Sequence, residues 1–123
     1  MSSLQKKETL LIVDDSKFQR VVIRQSLGEH FNFAEAVSGE ECLTIMEKES
    51  DAIDLVLLDP PFHYNTLNEV LPALADKVAP GGVVLAESER EAALPERAGA
   101  LVLAKQYYYG KIMVSRYEKE EQA

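Results

Sequence analysis

Three short, continuous apolar runs are the feature that most constrains the fold of this chain. They lie at residues 10–13, 55–58 and 83–86, and amphipathic stretches separate them. Strands that are apolar on both faces occur mainly in parallel sheets with helices covering each side. The sequence therefore predicts an α/β fold with these three runs as the central strands.

The stretches between the runs begin with helix-start signals. In each, a side-chain oxygen is followed three residues later by Gln or Glu, the pattern of a capping box. The pairs are Ser16 with Gln19, Ser38 with Glu41, and Thr66 with Glu69. A chain of 123 residues is long enough for one core and too short for two. We therefore expect residues 1–123 to form a single three-layer domain.

The last quarter of the chain departs from this alternation. Two β-rich segments, 101–109 and 111–117, flank Gly110, which predicts an antiparallel hairpin. With right-handed crossovers for the helix-linked strands, the sheet is expected to have six strands in the order 2-1-3-4-6-5, with only the sixth antiparallel. The predicted strands lie near residues 9–14, 32–36, 53–59, 82–87, 100–108 and 111–118.

Charge and composition narrow the choice of partners. A net charge of -8 argues against nucleic acid, because affinity for phosphates rests on Lys and Arg.

The single Cys42 cannot form an internal disulfide, which indicates a reducing compartment. No apolar run approaches the length of a membrane span, so we expect a cytoplasmic protein without a membrane partner. No oligomeric state is predicted.

Three aspartates mark the ends of two predicted strands. Asp14 and Asp15 end the first strand, and Asp59 ends the third. If the two strands are neighbours, the carboxylates converge where open α/β sheets bind ligands. Close carboxylates repel one another, and a hard divalent cation relieves that repulsion. The pattern predicts a Mg²⁺ site formed by these three residues.

The segment that runs from residue 9 to Asp59 resembles the receiver domain of two-component response regulators. The resemblance rests on Ile-Val-Asp-Asp-Ser at 12–16 and Leu-Leu-Asp at 57–59. It implies that Asp14 and Asp15 hold Mg²⁺, that Asp59 accepts a phosphoryl group, and that a histidine kinase is the partner. Lys105 falls where the receiver lysine, which pairs with the phosphoryl group, is expected.

From Asp59 onward the sequence instead resembles a small-subunit ribosomal RNA guanine methyltransferase. The resemblance rests on Asp-Pro-Pro-Phe at 59–62, Ala-Pro-Gly-Gly at 79–82 and Tyr-Tyr-Tyr-Gly-Lys at 107–111. In that family the Asp-Pro-Pro-aromatic segment grips the exocyclic amine of a base. The first strand, however, lacks the glycine-rich turn that S-adenosylmethionine needs, so we expect no binding of that cofactor.

The two resemblances together predict an engineered chimera rather than an enzyme. Its residues 1–59 would form a flavodoxin-like half, and residues 60–123 would form the back half of a Rossmann-like methyltransferase. Two alternatives stay open: a working receiver domain in a phosphorelay, recognised by change that depends on phosphorylation, and a methyltransferase, recognised by cofactor binding.

Overall fold

The structure is a computed structural model that describes residues 7–49, 52–59 and 66–120. It has three α-helices and seven strands within these ranges, arranged as an α/β fold. The strands are β1 (Thr9–Asp14), β2 (Asn32–Ala36), β3 (Leu55–Asp59), β4 (Val83–Glu89), β5 (Arg97–Ala98), β6 (Leu101–Tyr109) and β7 (Ile112–Lys119). The helices are α1 (Lys17–Leu27), α2 (Gly39–Lys48) and α3 (Thr66–Ala75).

All seven strands belong to one mixed sheet in the order β2-β1-β3-β4-β7-β6-β5. Strands β1 to β4 pair in parallel, while β7 is antiparallel to both β4 and β6. The α/β class and the mixed sheet are therefore confirmed. The predicted strand order and the predicted number of strands are corrected in detail. The two-residue strand β5 adds a seventh strand to the sheet, antiparallel to β6. Two residues carry too little pattern to predict a strand.

Two of the predicted capping residues begin their helices. The Ser16 hydroxyl accepts the amide N–H of Gln19 at 3.3 Å, and the Ser38 hydroxyl accepts that of Glu41 at 3.1 Å. Each bond satisfies an amide that has no partner in the first turn of the helix. The side chain of Thr66, the third predicted cap, lies outside the described residues.

The two faces of the sheet are covered unequally. Helices α2 and α3 pack on one face, where the core includes Val56, Leu58, Val84, Ala86 and Tyr117. Among the described helices, α1 is the one that covers the opposite face, and α1 has no buried residue. On β4 and β7, residues that face α2 and α3 are buried and the alternate residues are half-buried. We call this half-covered side the open face.

The turn between α3 and β4 brings three backbone segments close together. Gly82 donates its N–H to Ala79 O at 2.8 Å, and its carbonyl accepts from Lys119 N at 3.0 Å. A Cβ at Gly82 would lie 2.8 Å from Ala79 O and 2.9 Å from Asp54 O. The predicted glycine turn is therefore a point of close backbone packing.

No described helix is both long enough and apolar enough to span a membrane.

Candidate functional site

Three carboxylates lie side by side at the carboxyl ends of β1, β3 and β4. Asp14 pairs with Asp59 across β1 and β3, and the register of Leu58 with Ala86 places Glu87 next to Asp59. Side chains alternate along a strand, so all three point to the open face. We call Asp14, Asp59 and Glu87 the carboxylate row. This edge is where open α/β sheets bind ligands.

The carboxylate row lines one end of a cavity of about 310 Å³ between α1 and the sheet. The cavity floor is apolar and comes from alternate residues of the central strands. Its lining includes Ile12, Leu57, Leu85, Val114 and, from α1, Ile23. Apolar walls with a few convergent polar groups are typical of small-molecule sites.

The row is electrostatically strained, and Asp59 at its centre shows this most. Burial, followed by repulsion from Glu87 and Asp14, raises the pKa of Asp59 to about 7. Burial and the charge of Asp14 also raise the pKa of Glu87. Like charges this close oppose full ionisation, so the row favours either a shared proton or a bound cation.

The raised pKa of Asp59 makes stability depend on pH. Between its unfolded value of 3.8 and about 7 the folded state binds more protons, so stability should fall as pH rises through this window. Asp59→Asn should therefore be more stable than wild type at pH 8, by about 1–2 kcal/mol after allowance for solvent screening of this half-buried group. At pH 4 the two should be nearly equal. Urea unfolding at both pH values measures this, and equal stability at pH 8 would contradict it.

Side chains of Asp14 and Arg20 hydrogen-bond to the backbone of the turn after β1. The Asp14 carboxylate accepts the Ser16 N–H at 2.8 Å, and Arg20 donates to the Asp14 carbonyl at 2.7 Å. Arg20 also pairs with Glu35 at 2.9 Å. Burial alone would raise the pKa of Glu35, but hydrogen bonds from Arg20 and Arg24 lower it. These contacts hold Asp14 at the cavity and keep α1 on the sheet.

The other predicted site residues are placed differently. Asp15 is exposed beside the row, and Lys105 lies on β6 with its Nζ 5.1 Å from the Tyr107 ring centroid, two strands beyond β4. Within the described ranges no group of His, Cys, Asp or Glu side chains is arranged to hold a metal ion. The predicted Mg²⁺ site at Asp14, Asp15 and Asp59 thus gains no support from the geometry. Residues 60–62 of the Asp-Pro-Pro-Phe segment lie outside the described residues.

Glu87 was not among the predicted site residues. Glu87 and Ser88 both follow the apolar run at 83–86, and only the strand register decides which of them faces Asp59. The structure turns Glu87 toward the site and buries Ser88 on the opposite face, where its hydroxyl donates to the Glu89 carbonyl at 3.1 Å. Residues 83–86 form a continuous apolar run without alternation, so the sequence carries no local signal that could have identified Glu87.

Nearly the whole chain matches one protein family. The family model described as "Conserved hypothetical protein 95" matches residues 3–118. A conserved hypothetical protein from Streptococcus pyogenes is 19% identical with a TM-score of 0.68, and the match covers 94% of this chain and 88% of that one. A putative methyltransferase from Escherichia coli is 17% identical with a TM-score of 0.65, and covers 98% and 81%. No curated protein matches the sequence.

Two further structures share the fold. A 16S rRNA (adenine(1408)-N(1))-methyltransferase from Catenulisporales acidiphilia is 10% identical with a TM-score of 0.65, covering 94% of this chain and 86% of that one. A 1,6-didemethyltoxoflavin-N1-methyltransferase from Burkholderia thailandensis, with bound S-adenosylhomocysteine, is 13% identical with a TM-score of 0.58, covering 98% and 74%.

These matches correct the chimera prediction. A single family model runs across Asp59 without a break, so residues 1–59 are not a receiver half joined to a foreign partner. The receiver alternative, the histidine kinase partner and the phosphoryl-accepting role of Asp59 lose their basis with it. The resemblance to receiver domains was wrong because it rested on carboxylates at strand ends. These are a short, local pattern that several α/β families can carry.

The predictions about activity are also corrected. The predicted absence of enzyme activity and of S-adenosylmethionine binding is wrong, because solved structures that share the fold are methyltransferases, and the one from Burkholderia thailandensis contains S-adenosylhomocysteine. The exclusion of nucleic acid is wrong as well, since the fold is shared with a 16S rRNA methyltransferase and net charge alone does not decide the partner. The chain belongs to the Conserved hypothetical protein 95 family.

Proposed function

We propose that this protein is an S-adenosylmethionine-dependent methyltransferase that modifies the exocyclic amine of a base in RNA. The observation that carries the proposal is the position of Asp59, at the carboxyl end of a central strand, within the carboxylate row and beside an apolar cavity. The Asp-Pro-Pro-Phe sequence at 59–62 supports an amine as the acceptor, because the resembling family uses this segment to grip one.

The chemistry of the row fits the cationic part of S-adenosylmethionine. That cofactor carries a sulfonium and an ammonium group, and the row offers acidic oxygens whose mutual repulsion a cation relieves. Asp14 and Glu87 are the residues that would hold this part, next to the apolar cavity floor. The turn after β1 contributes less to cofactor binding than the carboxylate row does. Its Ser16 and Gln19 amide N–H groups already donate to side chains of the turn. When bound, the cofactor supplies an activated methyl group.

Asp59 acts on the substrate nitrogen. As a carboxylate it accepts a hydrogen bond from the amine, which orients the nitrogen lone pair and increases its electron density. A pKa of about 7 also suits Asp59 to take up the proton that the nitrogen loses when it is methylated. Burial at the sheet edge limits competing hydrogen bonds from water.

The proposal is tested by incubating the protein with tritiated S-adenosylmethionine and protein-free ribosomal RNA. We expect label in the RNA fraction, and mass spectrometry of the digested RNA should place the methyl group on an exocyclic nitrogen. A boiled sample and Asp59→Asn are the controls. Absence of label with both RNA and intact ribosomal subunits would contradict the proposal.

We also propose that residues 1–123 act as one domain in the cytoplasm. One continuous sheet, which runs from β2 to β5, supports the single domain. The single cysteine, Cys42, is free and buried, as expected in a reducing compartment, where thiols stay unpaired.

A further inference from the structure

The β6–β7 hairpin carries a charge opposite to that of the whole protein. Residues 101–119 contain four Lys or Arg residues and a single acidic residue, Glu118, for a net charge of +3 in a chain of net charge -8. This concentration of positive charge lies beside the carboxylate row rather than far from it. A basic segment on an acidic protein indicates where an anionic partner would bind.

The open face of the hairpin presents aromatic rings among these cations. Tyr107 and Tyr109 alternate along β6 and point to the same face, and Tyr109 is 64% exposed. Lys105 Nζ lies 5.1 Å from the Tyr107 ring centroid, and Arg116 donates to the Tyr107 hydroxyl at 3.4 Å. Arg116 also neutralises Glu118, at 3.0 Å. We call Lys105, Tyr107, Tyr109 and Arg116 the aromatic-cationic patch.

The aromatic-cationic patch is continuous with the carboxylate row. The β4–β7 register pairs Glu87 with Val114, and the β7–β6 register pairs Val114 with Tyr107. A single line across the open face therefore runs from Asp59 through Glu87 and Val114 to Tyr107. No described helix covers this part of the sheet, because α1 packs near β1.

We propose that the aromatic-cationic patch is the docking surface for single-stranded RNA, and that it guides the target base toward Asp59. Unpaired bases expose ring faces that stack on Tyr107 and Tyr109, while Lys105 and Arg116 contact phosphates. A base in a duplex offers no free ring face, so the patch selects loops and single strands. The inference rests on the proposed function for its substrate class, but it makes a separate prediction about binding.

The test is fluorescence anisotropy with a labelled single-stranded RNA of about 12 nucleotides and, separately, the duplex of the same sequence. Wild type should bind the single strand more tightly than the duplex. Tyr109→Ala should weaken binding about tenfold. Lys105→Ala should reduce the slope of log affinity against log salt by about 1.

Tyr108→Ala is the matched control. Tyr108 is the neighbouring tyrosine, 50% exposed, but it lies on the opposite face of β6. Its loss should change RNA affinity by less than about twofold. Equal losses for Tyr108→Ala and Tyr109→Ala, tighter binding of the duplex, or a dimer in sedimentation that Tyr109→Ala dissolves would each overturn the proposal.

Calorimetry with S-adenosylmethionine separates the two proposals. If wild type binds the cofactor but Tyr109→Ala binds RNA normally, the docking surface is wrong and the proposed function stands. If RNA binding depends on Tyr109 but no cofactor binds, the proposed function fails and the docking surface stands.

Discussion

Asp59→Asn is expected to lower methyl transfer at least about 100-fold, which corresponds to about 3 kcal/mol of transition-state stabilisation. The amide keeps the size of the side chain, but it has one acceptor oxygen, no negative charge and no capacity to take up a proton near pH 7. The loss should appear in kcat, while the affinity for S-adenosylmethionine should change less than about tenfold.

The role of Asp59 should also appear in the pH dependence of wild-type activity. Because Asp59 must be ionised to accept from the amine and its pKa is about 7, activity should rise with pH through 7 and level off above it. Asp76→Asn, which removes an exposed charge after α3, serves as the matched control and should retain activity. Near-normal kcat in Asp59→Asn would show that another group positions the amine.

Gly82→Ala is expected to destabilise the fold by about 3 kcal/mol. The new Cβ would lie 2.4 Å from Val78 Cγ1, 2.8 Å from Ala79 O and 2.9 Å from Asp54 O. The Val78 side chain can rotate away from the new Cβ. The carbonyls of Ala79 and Asp54 cannot, because they belong to backbone that joins α3 and β3 to the start of β4. For a chain of this length, the loss corresponds to a fall in Tm of about 10 °C or more.

Gly110→Ala provides the comparison. Gly110 has a φ of 62°, so alanine is strained there, but its Cβ would meet no atom within 4 Å. That substitution should cost only about 1 kcal/mol. Thermal unfolding of both variants measures the difference. A larger loss at Gly110 than at Gly82 would contradict the close packing of the α3–β4 turn.

The sequence predicted much of the fold because the strongest signals lie in the core. The apolar runs that became β1, β3 and β4, and the two caps at Ser16 and Ser38, depend on local chemistry that tertiary contacts reinforce. The hairpin around Gly110 was predicted for the same reason. Strand β5 could not be predicted, because two residues show no periodicity and pair only through contact with β6.

The site was predicted only in part. Asp14 and Asp59 do meet, because parallel strands bring their carboxyl ends to one edge. Glu87 depends on register, which no single-sequence pattern determines. The receiver interpretation failed because carboxylates at strand ends can serve several chemistries, and the choice depends on the wider fold; the Mg²⁺ site stays a prediction.

The binding of S-adenosylmethionine decides whether this protein is a methyltransferase that uses that cofactor. A calorimetric titration of the protein at pH 8 should show one cofactor site with a Kd of about 1–100 μM, a range typical of small-molecule sites with a few charged contacts. Glu87→Gln should weaken this binding, because it removes a carboxylate that favours the cationic part of the cofactor. We expect this heat of binding; no heat at millimolar cofactor, with RNA present or absent, would contradict the proposed function.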